Sequence, residues 1–243
     1  MKIVVSGAGG RMGRILTEKI RETEHILVGA VDRFAPPEGG VNAFAALREK
    51  ADVVIDFSNH EGTAELTEYA VRTGTPVVIA TTGHTEEEKR MIAAAAEKIP
   101  VFYSGNFSLG IAVLSDLVRR AAEVFPQADI EIVETHHNRK LDAPSGTALM
   151  LAEAVGKARP GAAVHCGRSG QGKRTPGEIG IQSVRMGNIA GIHEVMISTD
   201  SETITLKHEA HDRGVFADGA IRAAEFLAGR SAGRYDMKDL LKE

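Results

Sequence analysis

A chain of 243 residues, 43% hydrophobic and 26% charged, has room for one large globular domain or two modest ones. Its formal net charge of -4 argues against general nucleic-acid binding, which carries a basic excess. No apolar run approaches the roughly 18 residues a membrane-spanning helix needs. Cys166 is the only cysteine, so no intrachain disulfide forms, and the expected residence is the cytoplasm.

The first element, Ile3-Val4-Val5, enters a strand pattern at once rather than the apolar core of a leader. It ends in Gly7-Ala8-Gly9-Gly10-Arg11-Met12-Gly13, and Ile15, Leu16 and Ile20 then fall on one helical face. A second strand, Ile26 to Val31, closes on Asp32-Arg33. Strand, glycine turn, helix, strand and acid in this order form the dinucleotide-binding unit, although the glycines depart from strict G-x-G-x-x-G. Asp32 stands where an acid takes the ribose hydroxyls of NADH. Arg33 beside it suits the 2′-phosphate of NADPH, and the expectation is use of both. Arg11 approaches the pyrophosphate or lies exposed on the first helical turn; the sequence supports both readings.

The alternation continues with strands at Val53 to Phe57, Pro76 to Ala80 and Val101 to Tyr103, and helices from about His60 to Arg72 and Glu86 to Lys98. In an open parallel sheet ligands sit beyond the carboxyl ends of the strands. The turns at Gly7, Asp32, Phe57, Thr81 and Ser104 should therefore line one crevice. A long helix over Ile111 to Phe125 and a strand over Ile130 to His136 follow.

Next comes Glu134-Thr135-His136-His137-Asn138-Arg139-Lys140-Leu141-Asp142-Ala143-Pro144-Ser145-Gly146-Thr147-Ala148. His136 can shuttle a proton near neutral pH, and Lys140 can act as a point charge or proton donor. Strand alternation sends His136 and His137 to opposite faces unless the strand ends there. Ser145-Gly146-Thr147 precedes an apolar run, so Ser145 or Thr147 caps a helix whose free N–H groups suit a carboxylate. Residues 167–177 read as a mobile loop, in which Lys173 and Arg174 either close over a ligand or form a solvated charge run. Strand patterns at Ile179 to Met186, Ile192 to Thr199 and Thr203 to Glu209, with turns at Gly187-Asn188 and Asp200-Ser201, suggest an antiparallel meander. A last apolar helix, Val215 to Leu227, should return to cover the first sheet. No histidine or cysteine pair has a tight zinc spacing, so no metal site is expected.

These motifs make the chain resemble the 4-hydroxy-tetrahydrodipicolinate (dihydrodipicolinate) reductase family over essentially its whole length. The marks are the Gly7 to Gly13 turn, Ala80-Thr81-Thr82-Gly83, Asn106-Phe107-Ser108, the His136 to Thr147 segment, Ser183-Val184-Arg185-Met186-Gly187, and Arg213 with Phe216-Ala217-Asp218-Gly219-Ala220. The resemblance implies an α/β fold: a Rossmann-like domain, residues 1–108 and 213–243, interrupted by an α+β substrate and oligomerisation domain, residues 109–212. It implies NADH or NADPH as hydride donor, a small cyclic dicarboxylate substrate reduced with loss of water, and a homotetramer. By matched position His136 and Lys140 would be catalytic. His137, Ser145, Gly146, Thr147 and Arg213 would bind substrate. Gly7, Ala8, Gly9, Gly10, Arg11, Met12, Asp32, Arg33, Ala80, Thr81, Thr82, Ser104, Gly105, Asn106 and Phe107 would meet the cofactor. The chain is shorter than some relatives between Asp32 and Val53, and has Ala80 where many relatives have glycine. Rival readings are another dehydrogenase of a small amino or keto acid and a non-catalytic dinucleotide sensor.

Overall fold

The structure, a computed structural model, describes residues 1–242. The chain divides into two compact units, one of Met1–Ser108 with the segment from Arg213 onward, the other Leu109–Asp212.

The first unit alternates strands and helices in chain order: β1 (Lys2–Ser6), α1 (Arg11–Arg21), β2 (Ile26–Val31), β3 (Val53–Asp56), α2 (Thr63–Thr73), β4 (Val77–Ile79), α3 (Glu86–Ala96) and β5 (Pro100–Tyr103). The strands pair in parallel in the order β5-β4-β3-β1-β2. Parallel strands covered on both faces read as continuous apolar runs rather than as alternating ones, and Val53, Val54 and Ile55 are accordingly all buried. Val4, Val54, Val77, Ile79 and Val101 share one core with Leu66 and Ala70 of α2 and Ile92 and Ala95 of α3. α3 begins on a capping box in which Thr85 accepts from Glu88 N–H and Glu88 accepts from Thr85 N–H, with three glutamates in its first turn.

The second unit begins with α4 (Leu109–Val124), followed by β6 (Asp129–His136), α5 (Gly146–Ala158), β7 (Val164–Cys166), β8 (Ile179–Arg185), β9 (Gly191–Ser198) and β10 (Thr203–Ala210). Its sheet order is β10-β9-β6-β8-β7. The expected meander is corrected here. β9 and β10 form an antiparallel pair, but β8 runs parallel to β6, and β6 stands between β8 and β9. The physical reason is the crossover: the chain leaves β6, passes through α5 and returns, so the next long strand lies parallel beside β6. The Gly187-Asn188 link is therefore not a hairpin. It laps over the end of β6, where His137 N–H donates to the Ile189 carbonyl and Asn138 N–H to the Gly187 carbonyl. α4 and α5 cover one face of this sheet, with Val118, Leu151 and Val155 packed on Ile130, Ile132, Ile179, Ile181, Val195 and Ile197.

Residues 167–177 hold neither helix nor strand. Arg174 is no solvated charge: it pairs with Glu131, reaches Asp129 at 2.9 Å and donates to the Ile130 and Glu178 carbonyls. The chain then returns to the first unit through α6 (Gly214–Leu227), β11 (Gly233–Tyr235) and α7 (Met237–Leu240). α6 packs on β3, β4, β5 and α1, covering the parallel sheet as expected, and β11 adds a parallel edge to β5. No helix among the described residues is long and apolar enough to cross a membrane.

The seating of α6 leaves no space at Gly219, where an added Cβ would stand 1.7 Å from the Phe107 carbonyl oxygen. Gly219→Ala should therefore destabilise the protein by about 1–3 kcal/mol, the usual cost of overpacking. Gly156 in α5 has open space around it, and Gly156→Ala should stabilise by about 0.5–1 kcal/mol. Urea unfolding of the two variants beside the parent checks both signs.

Candidate active site

In the first unit the strand order reverses at β1: β2 lies on one side and β3 on the other. A cavity of about 340 Å³ opens at the carboxyl ends of these strands, lined among others by Ser6, Gly7, Gly10, Asp32, Arg33 and Ser58. This is the place an open parallel sheet offers a ligand. Gly10 is the N-cap of α1 and contributes no side-chain cap, which leaves the first-turn N–H groups and the positive dipole end for an external anion. The residues around Gly9 and Gly13 approach too closely for a side chain: a Cβ would meet the Ala35 carbonyl at 1.9 Å and the Gly7 carbonyl at 2.1 Å, respectively. The open helix end beside the cavity suits a phosphate-bearing dinucleotide, and the two glycines let the turn pack closely enough to form it.

Asp32 does more than close a strand. Its Oδ2 accepts from Gly9 N–H at 3.0 Å, and its Oδ1 accepts from Phe34 and Ala35 at 3.0 and 2.9 Å. Burial pushes its pKa up, but these three bonds outweigh it and hold the carboxyl below its ordinary value. It thus ties the glycine turn to the loop after β2 while retaining acceptor capacity on the cavity wall. Arg33 lies on the same wall, with its guanidinium 5.5 Å from the Phe34 ring centroid.

The remaining cofactor candidates lie at other strand ends. Ala80 N–H donates to the Asp56 carbonyl, and the Thr81 hydroxyl donates to Asp56 Oδ2 at 2.6 Å, while Thr82 is exposed. Ser104 donates to the Asn106 carbonyl at 2.7 Å across Gly105, and Asn106 Oδ1 accepts from Ser108 N–H at 2.8 Å. Phe107 is buried against Phe57 and Phe102, so its ring belongs to the core. Ala8, Arg11 and Met12 belong to the turn and the first turn of α1. Arg213 stands at the N-cap of α6 in this first unit, not in the unit that carries His136 and Lys140.

In the second unit the constellation is built on β6, whose burial alternates strictly: Ile130, Ile132, Glu134 and His136 point inward. The strand ends at His136, so alternation does not place His137, which lies half-buried just beyond it. Glu134 is fully buried. Arg185 of β8 grips it bidentately, Nη1 to Oε2 at 2.9 Å and Nη2 to Oε1 at 2.7 Å. Ser145 N–H donates to Oε1 at 3.1 Å, and His136 Nδ1 lies 2.5 Å from Oε2. Burial pushes the Glu134 carboxyl up, but hydrogen bonds from Arg185, Ser183 and His136 win and hold it at about 2.

An ionised carboxylate only accepts, so His136 Nδ1 carries the proton and donates it to Glu134. Nε2 is then the nitrogen available for chemistry. A Cβ at position 191 would stand 3.2 Å from Nε2, so Gly191 keeps the space on that atom clear. Burial lowers the His136 pKa, and Lys140 and Arg185 lower it further; Glu134 opposes them and only partly restores it. Neutral imidazole therefore prevails near pH 7. Lys140 Nζ lies 2.8 Å from Asp142, and its backbone N–H donates to the His137 carbonyl.

Ser145, not Thr147, caps α5: its Oγ accepts from Ala148 N–H at 3.2 Å. Gly146 is exposed in the first turn of that helix, with Thr147 half-buried beside it. Sequence reasoning assigns no role to Glu134, Arg185 or His193. The available signal is an ionisable residue at an inward position of an otherwise apolar strand: Glu134 after Ile130 and Ile132, and His193 before Val195 and Ile197. Among the described residues no group of three or more His, Cys, Asp or Glu is placed to hold a metal ion.

Comparison with known proteins agrees with this architecture. The family models for the N-terminus and C-terminus of dihydrodipicolinate reductase match residues 1–107 and 110–241. The 4-hydroxy-tetrahydrodipicolinate reductase of Caldanaerobacter subterraneus subsp. tengcongensis is 44% identical over 100% of this chain and 99% of its own. That of Caulobacter vibrioides is 45% identical over 99% of this chain and 97% of its own. A solved, dipicolinate-bound dihydrodipicolinate reductase from Paenisporosarcina sp. TG-14 superposes with a TM-score of 0.81, covering 99% of both chains at 24% identity, a likeness of fold. Both halves are matched, and near relatives align end to end: the chain belongs to the dihydrodipicolinate reductase family, NAD(P)H-dependent oxidoreductases of lysine and diaminopimelate biosynthesis.

Proposed function

We propose that this chain reduces 4-hydroxy-tetrahydrodipicolinate to tetrahydrodipicolinate with loss of water, taking the hydride from NADH or NADPH, and that it does so in the cytoplasm as a homotetramer. The observation that supports the residue roles most is the Glu134–His136 pair: it leaves a neutral imidazole with Nε2 unprotonated, in the same short segment as Lys140 and the capped start of α5.

The cofactor's diphosphate would lie on the Gly7 to Gly13 turn and the N-terminus of α1, with Ala8, Arg11 and Met12 around it. Asp32 would take ribose hydroxyls through its remaining lone pairs, and Arg33 the 2′-phosphate of NADPH. Ala80 to Thr82 and Ser104 to Phe107 would frame the nicotinamide end. The bound reduced nicotinamide supplies the hydride. The first turn of α5, Gly146 and Thr147, would seat one substrate carboxylate through backbone N–H groups, with His137 and Arg213 as further contacts.

Overall the substrate gains a hydride and a proton and releases water. His136 Nε2 takes a proton from the ring carbon beside the hydroxyl-bearing one, and Lys140 gives the departing hydroxyl the proton with which it leaves as water. His136 then returns its proton to the same carbon as the ring is reduced. One proton is consumed per turnover, and it enters through Lys140. Glu134 holds the imidazole in the tautomer this needs and stabilises the imidazolium that forms transiently.

The direct test is oxidation of NADH and NADPH by the pure protein, with substrate generated in situ from pyruvate and aspartate semialdehyde by a synthase. Oxidation that requires every component supports the reading; nucleotide binding without turnover would move it to a sensor. Both nucleotides should serve, and a preference beyond about a thousandfold would defeat the shared role given to Asp32 and Arg33. His136→Ala and Lys140→Ala should each lower kcat by ~10²–10⁴; a value within about threefold of the parent removes that residue's role. The acid limb of the kcat/KM profile should fall below the ordinary imidazole range of about 6.5. Because Glu134 raises the His136 pKa, Glu134→Gln should move that limb to still lower pH. A move to higher pH would contradict the assignment.

A further inference from the structure

Beside the Glu134–His136 pair lies a third ionisable group to which the proposed mechanism gives no part. His193 of β9 is only 4% exposed, on the inward face it shares with Val195 and Ile197. Packing alone would be served more cheaply by another apolar side chain, because a buried imidazole must find partners for its polar atoms. His193 has one at its Nε2 and a ring contact besides. Its Nε2 lies 3.0 Å from Ser145 Oγ, and its ring meets that of His136 edge to face, with centroids 5.2 Å apart at 75°. Ser145 in turn caps α5 through Ala148 N–H and gives its own N–H to Glu134.

We infer that His193 is a positioning residue of the substrate site: through Ser145 it fixes the start of α5, where a carboxylate would sit, and through the ring contact it fixes the plane of His136. The inference rests on the substrate reading given above. Register explains how one residue reaches both targets. His193 stands directly across from Glu134 on β6, and its neighbour on the other side is His208 of β10. The groups that act on its charge are His136 and Glu134 from β6, Lys140 from the following loop and His208 from β10. Burial, first, and then the cationic character of His136, His208 and Lys140 push its pKa down to about 4, with Glu134 opposing. His193 therefore stays neutral wherever the enzyme works. It holds geometry without exchanging protons with the substrate, and its Nε2 and the Ser145 hydroxyl can share one proton in either sense.

The test replaces His193 by Gln, whose amide reaches the position of Nε2 and can donate or accept, and by Leu, which fills space without bonding. Steady-state kinetics are measured against the dicarboxylate and against NADH separately, with binding of pyridine-2,6-dicarboxylate measured by calorimetry. His193→Leu should raise the dicarboxylate KM and Kd roughly tenfold, the scale on which losing an orienting partner behind a working group is felt. The KM for NADH should stay within about twofold, and His193→Gln should recover most of the loss with the acid limb of the pH profile unmoved. If His193→Leu does not fold, Ser145→Ala must show the same dicarboxylate-selective loss, with His193→Gln near the parent. The inference is overturned by parental dicarboxylate binding in His193→Leu, or in Ser145→Ala should that stand in for it. An equal loss toward NADH, a His193→Gln as damaged as His193→Leu, or an acid limb that vanishes in His193→Gln would also overturn it. A parent that turns over no dicarboxylate would instead count against the substrate reading, and calorimetry would still report whether His193 shapes a dicarboxylate seat.

Discussion

A carboxylate buried at the end of an inner strand is untenable alone, and much of the second unit's inner end is organised around meeting that demand at Glu134. Arg185 supplies charge and a two-pronged grip from β8, Ser145 supplies a backbone N–H from the turn that starts α5, and His136 supplies a ring N–H from two residues along the same strand. The start of α5 and the distant strand β8 are thereby both held against β6 by a single side chain. Such an arrangement is costly if broken at one partner, since the group left behind remains desolvated and unpaired. The same demand defines the chemistry: a carboxylate kept ionised fixes which nitrogen of His136 bears the proton.

The two units divide the physical problem. The parallel sheet of the first unit brings loops together at the carboxyl ends of β1, β2 and β3, where Gly10 leaves a helix end open and Asp32 knits two of those loops together. The mixed sheet of the second unit instead builds a polar layer into an apolar face, from Arg185 on β8 through Glu134 and His136 on β6 to His193 on β9. Its flanks are apolar, with Ile130, Ile132, Val195 and Ile197 below, which is why burial dominates the ionisation of both histidines.

Much of the parallel sheet can be read along the chain, because buried parallel strands announce themselves as short apolar runs between helices and Gly7 to Gly13 marks the first turn. The start of α5 is legible for a similar reason: Pro144-Ser145 before an apolar run is a local signal, and Ser145 caps as one of the two residues considered. What escapes is non-local. The strand patterns after residue 178 read as a meander, since nothing local reveals that β6 inserts between β8 and β9. Without that insertion Arg185 and His193 have no reason to meet Glu134, and none of the three gains a role. β7, β11 and α7 escape because three or four residues carry too little periodicity to stand out. Arg174 reads as part of a solvated run because its partners, Glu131 and Glu178, are contributed by neighbouring strands and turns.

The central claim is the state of one imidazole, and nitrogen NMR of the His136 ring in uniformly labelled protein tests it most directly. The expected result is a neutral ring at pH 7, with the proton on Nδ1, Nε2 unprotonated, and a titration midpoint below the ordinary value of 6.5. A ring protonated on Nε2, or one that titrates above 6.5, would contradict it.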